Sequence, residues 1–170
     1  MDYKCLSYRS NIKMKSKITK LSINGFEHIV LVNPDETLVF TLRERLNFTG
    51  TKKCCDEGTC GSCTILVDGI PVLGCLTPTV RCVGKTIITI EGVSAKEDLH
   101  PVQKYLVKNG GLQCGFCTPG VVMTAIPFLD EHPNANREKI KEGLSGNLCR
   151  CTGYKKIIDA VENAGKELKA

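Results

Sequence analysis

Polar and apolar residues alternate around Leu21 and Ile23, and residues 29–32 form an aliphatic return run. Between them stands Asn24-Gly25, a pair suited to a two-residue hairpin turn. Asp68-Gly69 separates residues 64–67 from 70–73 in the same way, and residues 86–90 are rich in β-branched side chains. These segments predict strands. Leu38, Leu42 and Leu46 recur at helical spacing after Thr37, which predicts one amphipathic helix with Thr37 as its cap. Beyond Gly92 the period changes. Ser94 to Glu97 fits a capping box, and His100-Pro101 opens a helix carrying Val102, Tyr105 and Leu106. Thr118-Pro119 is expected to cap a third helix, over the apolar residues 121–129, which Pro127 should kink or shorten. Asn136 should cap residues 137–144, and Tyr154, Ile157, Ile158, Val161 and Leu168 make the stripe of the last helix. The pattern predicts an α+β chain: a β-rich unit over residues 18–92 and a bundle of four helices over residues 93–170, after a basic, disordered extension at 1–17.

Charge adds little to this picture. The net charge of +5 is concentrated in the extension, where Lys4, Arg9, Lys13, Lys15 and Lys17 face only Asp2. No basic face interleaved with aromatics follows, which argues against a nucleic-acid partner. No apolar stretch is long enough to span a bilayer or to form the core of a signal peptide. A cytoplasmic location without membrane insertion is therefore expected.

The eleven cysteines carry the chemistry. Cys55, Cys60 and Cys63 are spaced by four and two residues, and Cys75 follows across the second predicted hairpin. This is the spacing of plant-type 2Fe-2S ferredoxins, in which three thiolates come from one tight loop and the fourth from elsewhere. Gly58 and Gly61 let the backbone fold closely around inorganic sulfide. A second quartet comprises Cys114 and Cys117 in QCGFCTPG and Cys149 and Cys151 in NLCRCTGY. Both pairs lie near predicted helix starts, where amide N–H groups favour thiolates. A zinc ribbon would use two Cys-x-x-Cys knuckles at closer range, so the Cys-x-Cys pair points to a cluster. Cys5, Cys54 and Cys82 are left over and are expected to pack as small apolar side chains.

With these motifs in this order, TLRERLNFTGTKKCCDEGTCGSCTILVDG, LQCGFCTPGVVMTA and SGNLCRCTGYKKIIDAV, the chain resembles the small iron–sulfur subunit of the xanthine dehydrogenase family of molybdenum hydroxylases. The resemblance covers about residues 18–164. It implies a plant-type ferredoxin (β-grasp) domain followed by a helical domain, each holding one 2Fe-2S cluster. It further implies a large subunit carrying molybdopterin and a medium subunit carrying FAD, in a heterotrimer or a dimer of heterotrimers. Electrons would pass from molybdenum to the cluster at Cys114, Cys117, Cys149 and Cys151, then to that at Cys55, Cys60, Cys63 and Cys75, and on to FAD. Gln113 matches the family glutamine that hydrogen-bonds the pterin. The family member implied first is a xanthine dehydrogenase; the alternative is a free two-cluster ferredoxin. Cys54 departs from the family pattern, which has glycine there, and a left-handed backbone at that position would be strained.

No catalytic site for substrate is expected on this chain, which would serve an oxidoreductase as its electron-transfer part. His28, His100 and His132 stand apart from any nucleophile and read as capping or solvent residues. Gly84-Lys85-Thr86 lacks the first glycine of a phosphate loop, Thr79 standing there, and reads as a strand lead-in.

Overall fold

The computed structural model describes residues 15–94 and 98–169. Residues 1–14 and the Glu97 end of the expected capping box lie outside them. Five strands form one mixed sheet: β1 (Lys17–Ile23), β2 (Phe26–Val32), β3 (Thr64–Val67), β4 (Ile70–Leu73) and β5 (Thr86–Ile88), in the order β2-β1-β5-β3-β4. Lys17 therefore belongs to β1 and not to the extension. β1–β2 and β3–β4 are antiparallel hairpins, and their turn residues Asn24, Gly25, Asp68 and Gly69 all have the positive φ that such turns require. The last strand inserts between them, parallel to β1 and antiparallel to β3.

One face of the sheet is covered by α1 (Leu38–Phe40), which runs on as a π-helical turn, Thr41–Arg45. Leu38 and Leu42 join Leu21, Ile23, Val32, Ile65 and Ile87 in the first apolar core, and Cys82 is buried there as expected. Thr37 has the extended backbone of a cap, yet its side chain makes no capping bond. The helix start is satisfied from the chain that follows β4: Leu38 N–H donates to Thr77 O (2.7 Å) and Val39 N–H to Gly74 O (3.1 Å). These bonds fix the backbone on both sides of Cys75. Glu36, 8% exposed, accepts from Asn33 Nδ2 (2.7 Å) and Arg45 Nε (2.7 Å). The Arg45 guanidinium holds the Glu36 carboxyl below the usual carboxylate range.

The second core is helical: α2 (Pro101–Lys108), α3 (Thr118–Glu131), α4 (Arg137–Gly143) and α5 (Lys155–Glu167) enclose Val102, Leu106, Val122, Leu129, Ile140, Ile157 and Val161. The capping box of α2 lies six residues later than the sequence suggests, at His100 and not Ser94. His100 Nδ1 accepts from Val102 N–H, and the Gln103 side chain accepts from His100 N–H. Asn136 caps α4 as expected, its side chain accepting from Lys139 N–H. Thr118 does not cap α3; it is the first helical residue and Cys117 is the N-cap. Pro127 neither shortens nor ends α3, which continues to Glu131. Leu168 falls outside the α5 stripe and is exposed. His28 lies within β2, its ring edge-on to Phe48. No helix among the described residues is long and apolar enough to cross a membrane.

Candidate metal centres

The loop from Thr51 to Cys63 runs between the π-helical turn and β3 without regular structure. Arg43 Nη1 anchors its start, donating to Thr49 O (2.9 Å) and Thr51 O (2.7 Å). Gly58 and Gly61 have φ of +85° and +69°, and a Cβ on Gly61 would stand 2.4 Å from Gly146 O. A side chain has no room there. Cys60, Cys63 and Cys75 are buried and Cys55 is half-buried. The backbone N–H groups of Glu57, Cys60 and Thr59 converge on the Cys55 thiol and lower its pKa to about 6, Glu57 contributing most. Cys60 is the thiol partner of Cys55, and Cys75 is the partner of Cys63, whose pKa burial pushes up to about 12.

The second quartet pairs in the same way across two connections. Cys114 and Cys117 lie between α2 and α3, and Cys149 and Cys151 lie between α4 and α5. Cys151 Sγ is 3.5 Å from Cys114 Sγ, both exposed. Deeper in, Cys117 and Cys149 are each half-buried and neighbour one another. The Phe116 N–H and the Cys151 thiol hold Cys114 below the ordinary thiol range. Burial opposes ionisation at Cys149, yet hydrogen bonds from the Thr152 side chain, from the Thr152 and Cys151 backbones and from the Cys117 side chain outweigh it. At Cys117 burial wins despite its place at the helix start, and its pKa is about 12.

Among the described residues no three Cys, His, Asp or Glu side chains converge on one ion. The fold brings ligand thiols together as Cys55 with Cys60, Cys63 with Cys75, Cys114 with Cys151 and Cys117 with Cys149, and the additional thiol Cys54 also neighbours Cys60. A diiron centre takes two thiolates on each iron, with sulfides between the irons. The donor set and the glycine-lined loop fit two such centres.

A groove of about 280 Å³ is lined by all four cysteines of the second quartet and by Cys60 of the first. Leu148 N–H, one residue before Cys149, donates to Cys60 O (2.9 Å), and the buried Asn147 donates through Nδ2 to Gly61 O (3.2 Å). Exposed Phe116 and Leu148 and the side chain of Arg150 also line the groove. Gln113 is exposed beside Cys114. Cys54 is exposed and lines the groove, contrary to the packing role expected of it. Its backbone is not left-handed; besides Gly58 and Gly61, the loop residue with positive φ is Asp56. Cys5 lies outside the described residues.

Asn147, Thr152 and Tyr154 also belong to this site, although the sequence motifs do not single them out. Tyr154 Oη accepts from Cys149 N–H (2.9 Å), and Thr152 Oγ1 lies 3.2 Å from Cys149 Sγ. The available signal was their position on either side of the Cys-x-Cys pair.

Comparison with known proteins agrees with this geometry. Residues 8–110 match the family described as 2Fe-2S iron-sulfur cluster binding domain, and residues 89–162 match the [2Fe-2S] binding domain. The aldehyde oxidoreductase iron-sulfur-binding subunit PaoA of Escherichia coli K12 is 39% identical over 165 residues, covering 88% of this chain and 72% of that protein. The aldehyde oxidoreductase of Megalodesulfovibrio gigas is 42% identical over 147 residues, 85% of this chain, but this chain spans only 16% of that longer protein. The crystal structure of quinoline 2-oxidoreductase from Pseudomonas putida 86 superposes with a TM-score of 0.86 at 45% identity, covering 90% of this chain and 95% of that one. With two 2Fe-2S binding domains in one α+β fold, the chain belongs to the small iron–sulfur subunits of the molybdenum hydroxylase family.

Proposed function

We propose that this chain relays electrons between a molybdopterin-bearing subunit and an FAD-bearing subunit, using Cys114, Cys117, Cys149 and Cys151 for one 2Fe-2S cluster and Cys55, Cys60, Cys63 and Cys75 for the other. The observation that carries the reading is the groove lined by the second quartet and Cys60, where the Leu148 N–H···O=C Cys60 bond joins a residue next to one ligand directly to another ligand. When bound, the clusters supply one-electron redox chemistry, at a potential set by thiolate ligation, hydrogen bonds and exposure. The protein supplies placement. Cys114 and Cys151 are exposed, so this end would receive electrons from the molybdenum subunit, and exposed Gln113 would hydrogen-bond the pterin. The division between residues 18–92 and 93–170 gives each cluster its own unit.

Exposed Phe116 and Leu148 beside the outward cysteines favour a permanent subunit over a free ferredoxin-type carrier, which would keep the rim of its redox site polar. Eight reduced thiols fit a cytoplasmic complex. The chain carries no substrate pocket of its own in this reading. Its named relatives are aldehyde and quinoline oxidoreductases, so an aldehyde or an N-heteroaromatic compound is a better substrate for the complex than the purine implied by a xanthine dehydrogenase. The test is gentle purification. Two partner subunits with molybdenum and FAD should accompany the chain, with about four irons and four sulfides on it and two distinct electron paramagnetic resonance signals on reduction. A stable monomer with both clusters and no partners would establish the free carrier, and fewer than two signals would end the two-cluster reading.

Cys54 is not a ligand. A Cys54→Gly variant keeps both signals and its full iron, because the exposed thiol serves no core and the backbone there accepts any residue. The change costs at most about 1 kcal/mol in loop entropy. Iron analysis and the two signals check this, and loss of the signal from the residue 55–75 quartet would move the ligand assignment to Cys54.

A further inference from the structure

Beyond the eight cysteines, the turn that follows Cys151 holds a hydroxyl against a ligand sulfur. Thr152 Oγ1 lies 3.2 Å from Cys149 Sγ. A hydroxyl has one proton to give, and one further contact, with the charge state of the sulfur, decides where that proton points. Tyr154 N–H donates to the same Thr152 oxygen at 3.3 Å, so an oxygen lone pair is taken up on the helix side. An iron-bound Cys149 has no proton, so the sulfur can only accept. Thr152 is therefore the donor in an O–H···S bond.

The donor is held in place by the backbone. Tyr154 adopts φ of +66°, left-handed and rare for a residue with a side chain, as the N-cap of α5. That turn aims its N–H back at Thr152. Its own hydroxyl accepts the Cys149 N–H at 2.9 Å. Cys149 is thus clamped at main chain and sulfur by two residues of one short turn.

We propose that Thr152 is a positioning residue which raises the reduction potential of the cluster at Cys114, Cys117, Cys149 and Cys151 through this hydrogen bond. The inference rests on the relay reading above. Reduction adds negative charge to a cluster and its sulfur ligands, and a donor aimed at a ligand sulfur stabilises that added charge more than the charge already present. The cluster nearer the electron entry point is thereby kept easier to reduce. Nothing in the 55–75 quartet supplies a side-chain hydroxyl of this kind among the bonds of the described residues, so the effect belongs to one cluster.

The test is a redox titration followed by electron paramagnetic resonance, on the chain with the subunits that accompany it, comparing Thr152→Val, Thr152→Ala and Thr152→Ser. The hydroxyl-free variants should shift the reduction equilibrium of this cluster about tenfold toward the oxidised form, about 59 mV for a one-electron couple. Thr152→Ser should restore it, and the other cluster's midpoint should stay fixed. Should Thr152→Val and Thr152→Ala fail to hold the cluster while Thr152→Ser holds it, the hydroxyl is again identified as the group that matters. An unchanged midpoint in a loaded hydroxyl-free variant overturns the proposal, as does failure of all three variants to load, which would assign Thr152 a role of shape alone. If the unaltered chain itself gives fewer than two signals, it is the relay reading that falls.

Discussion

In a Cys149→Ser variant the iron content of the chain falls by half, and one of the two electron paramagnetic resonance signals disappears while the other keeps its line shape. An alcohol oxygen is a poor substitute for a thiolate on iron, because soft sulfur ligands are what select iron–sulfur clusters. The loss should be confined to one cluster. The four thiols of the other quartet lie within residues 55–75, three of them buried, in a loop to which the α4–α5 connection contributes the Asn147 side chain, donating to Gly61 O, but no ligand. Next to Cys149 itself the crossing bond is backbone: Leu148 N–H to Cys60 O. Serine leaves that bond in place. A Cys151→Ser variant should behave alike, since Cys151 pairs with Cys114 as Cys149 pairs with Cys117. Iron analysis with spectroscopy of the dithionite-reduced sample reads the outcome. Loss of both signals would show that the quartets are assembled as one unit and that the division into two cluster domains is wrong.

How much of this was legible in the sequence follows from the range over which each signal acts. Asn24-Gly25 and Asp68-Gly69 announce their hairpins because a positive φ is a local demand met by few residues. The cysteine spacings announce the ligands because three thiols in one loop are a local arrangement too. Position is less readable where distant chain decides it. The insertion of β5 between β1 and β3 depends on pairing across more than sixty residues to Ser22 and Ile23, a contact no local pattern encodes. Pro127 illustrates the opposite error. Local rules charge an interior proline roughly 3 kcal/mol, yet Val122, Ala125 and Leu129 of the same helix are buried in the second core, and that packing holds α3 intact on both sides of the proline. Thr37 has the type and place of a cap, but the carbonyls of Gly74 and Thr77, brought in by distant chain, take the N–H groups at the helix start. At Cys117 the helix-start argument failed because burial outweighs the amide field.

A Gly120→Ala variant should be destabilised by roughly 3 kcal/mol, near the upper end of what overpacking usually costs, even though alanine is the better helix former by about 1 kcal/mol. The sign is decided by where the new methyl group would go. Gly120 stands in the first turn of α3, and a Cβ built there lies 2.2 Å from Gly61 O and 2.9 Å from Ser62 Cα. Relief requires that carbonyl to move, and it is held. It accepts from Thr64 Oγ1 (2.7 Å), from Thr64 N–H (3.2 Å) and from Asn147 Nδ2 (3.2 Å). Gly61 lies between Cys60 and Cys63, and Gly120 lies three residues after Cys117, so the only other relief is to lift α3 from the loop. That separates the two cluster sites. The expected result is a lower unfolding midpoint together with weaker magnetic interaction between the two reduced clusters and slower electron transfer between them. Gly146→Ala is the matched control on the same junction: a Cβ there meets nothing within 4 Å, and its backbone is not left-handed. It should leave stability and both spectra unchanged. If Gly120→Ala is as stable as the control, α3 does not sit against the cysteine loop as closely as its backbone contacts require, and the short path between the clusters goes with it.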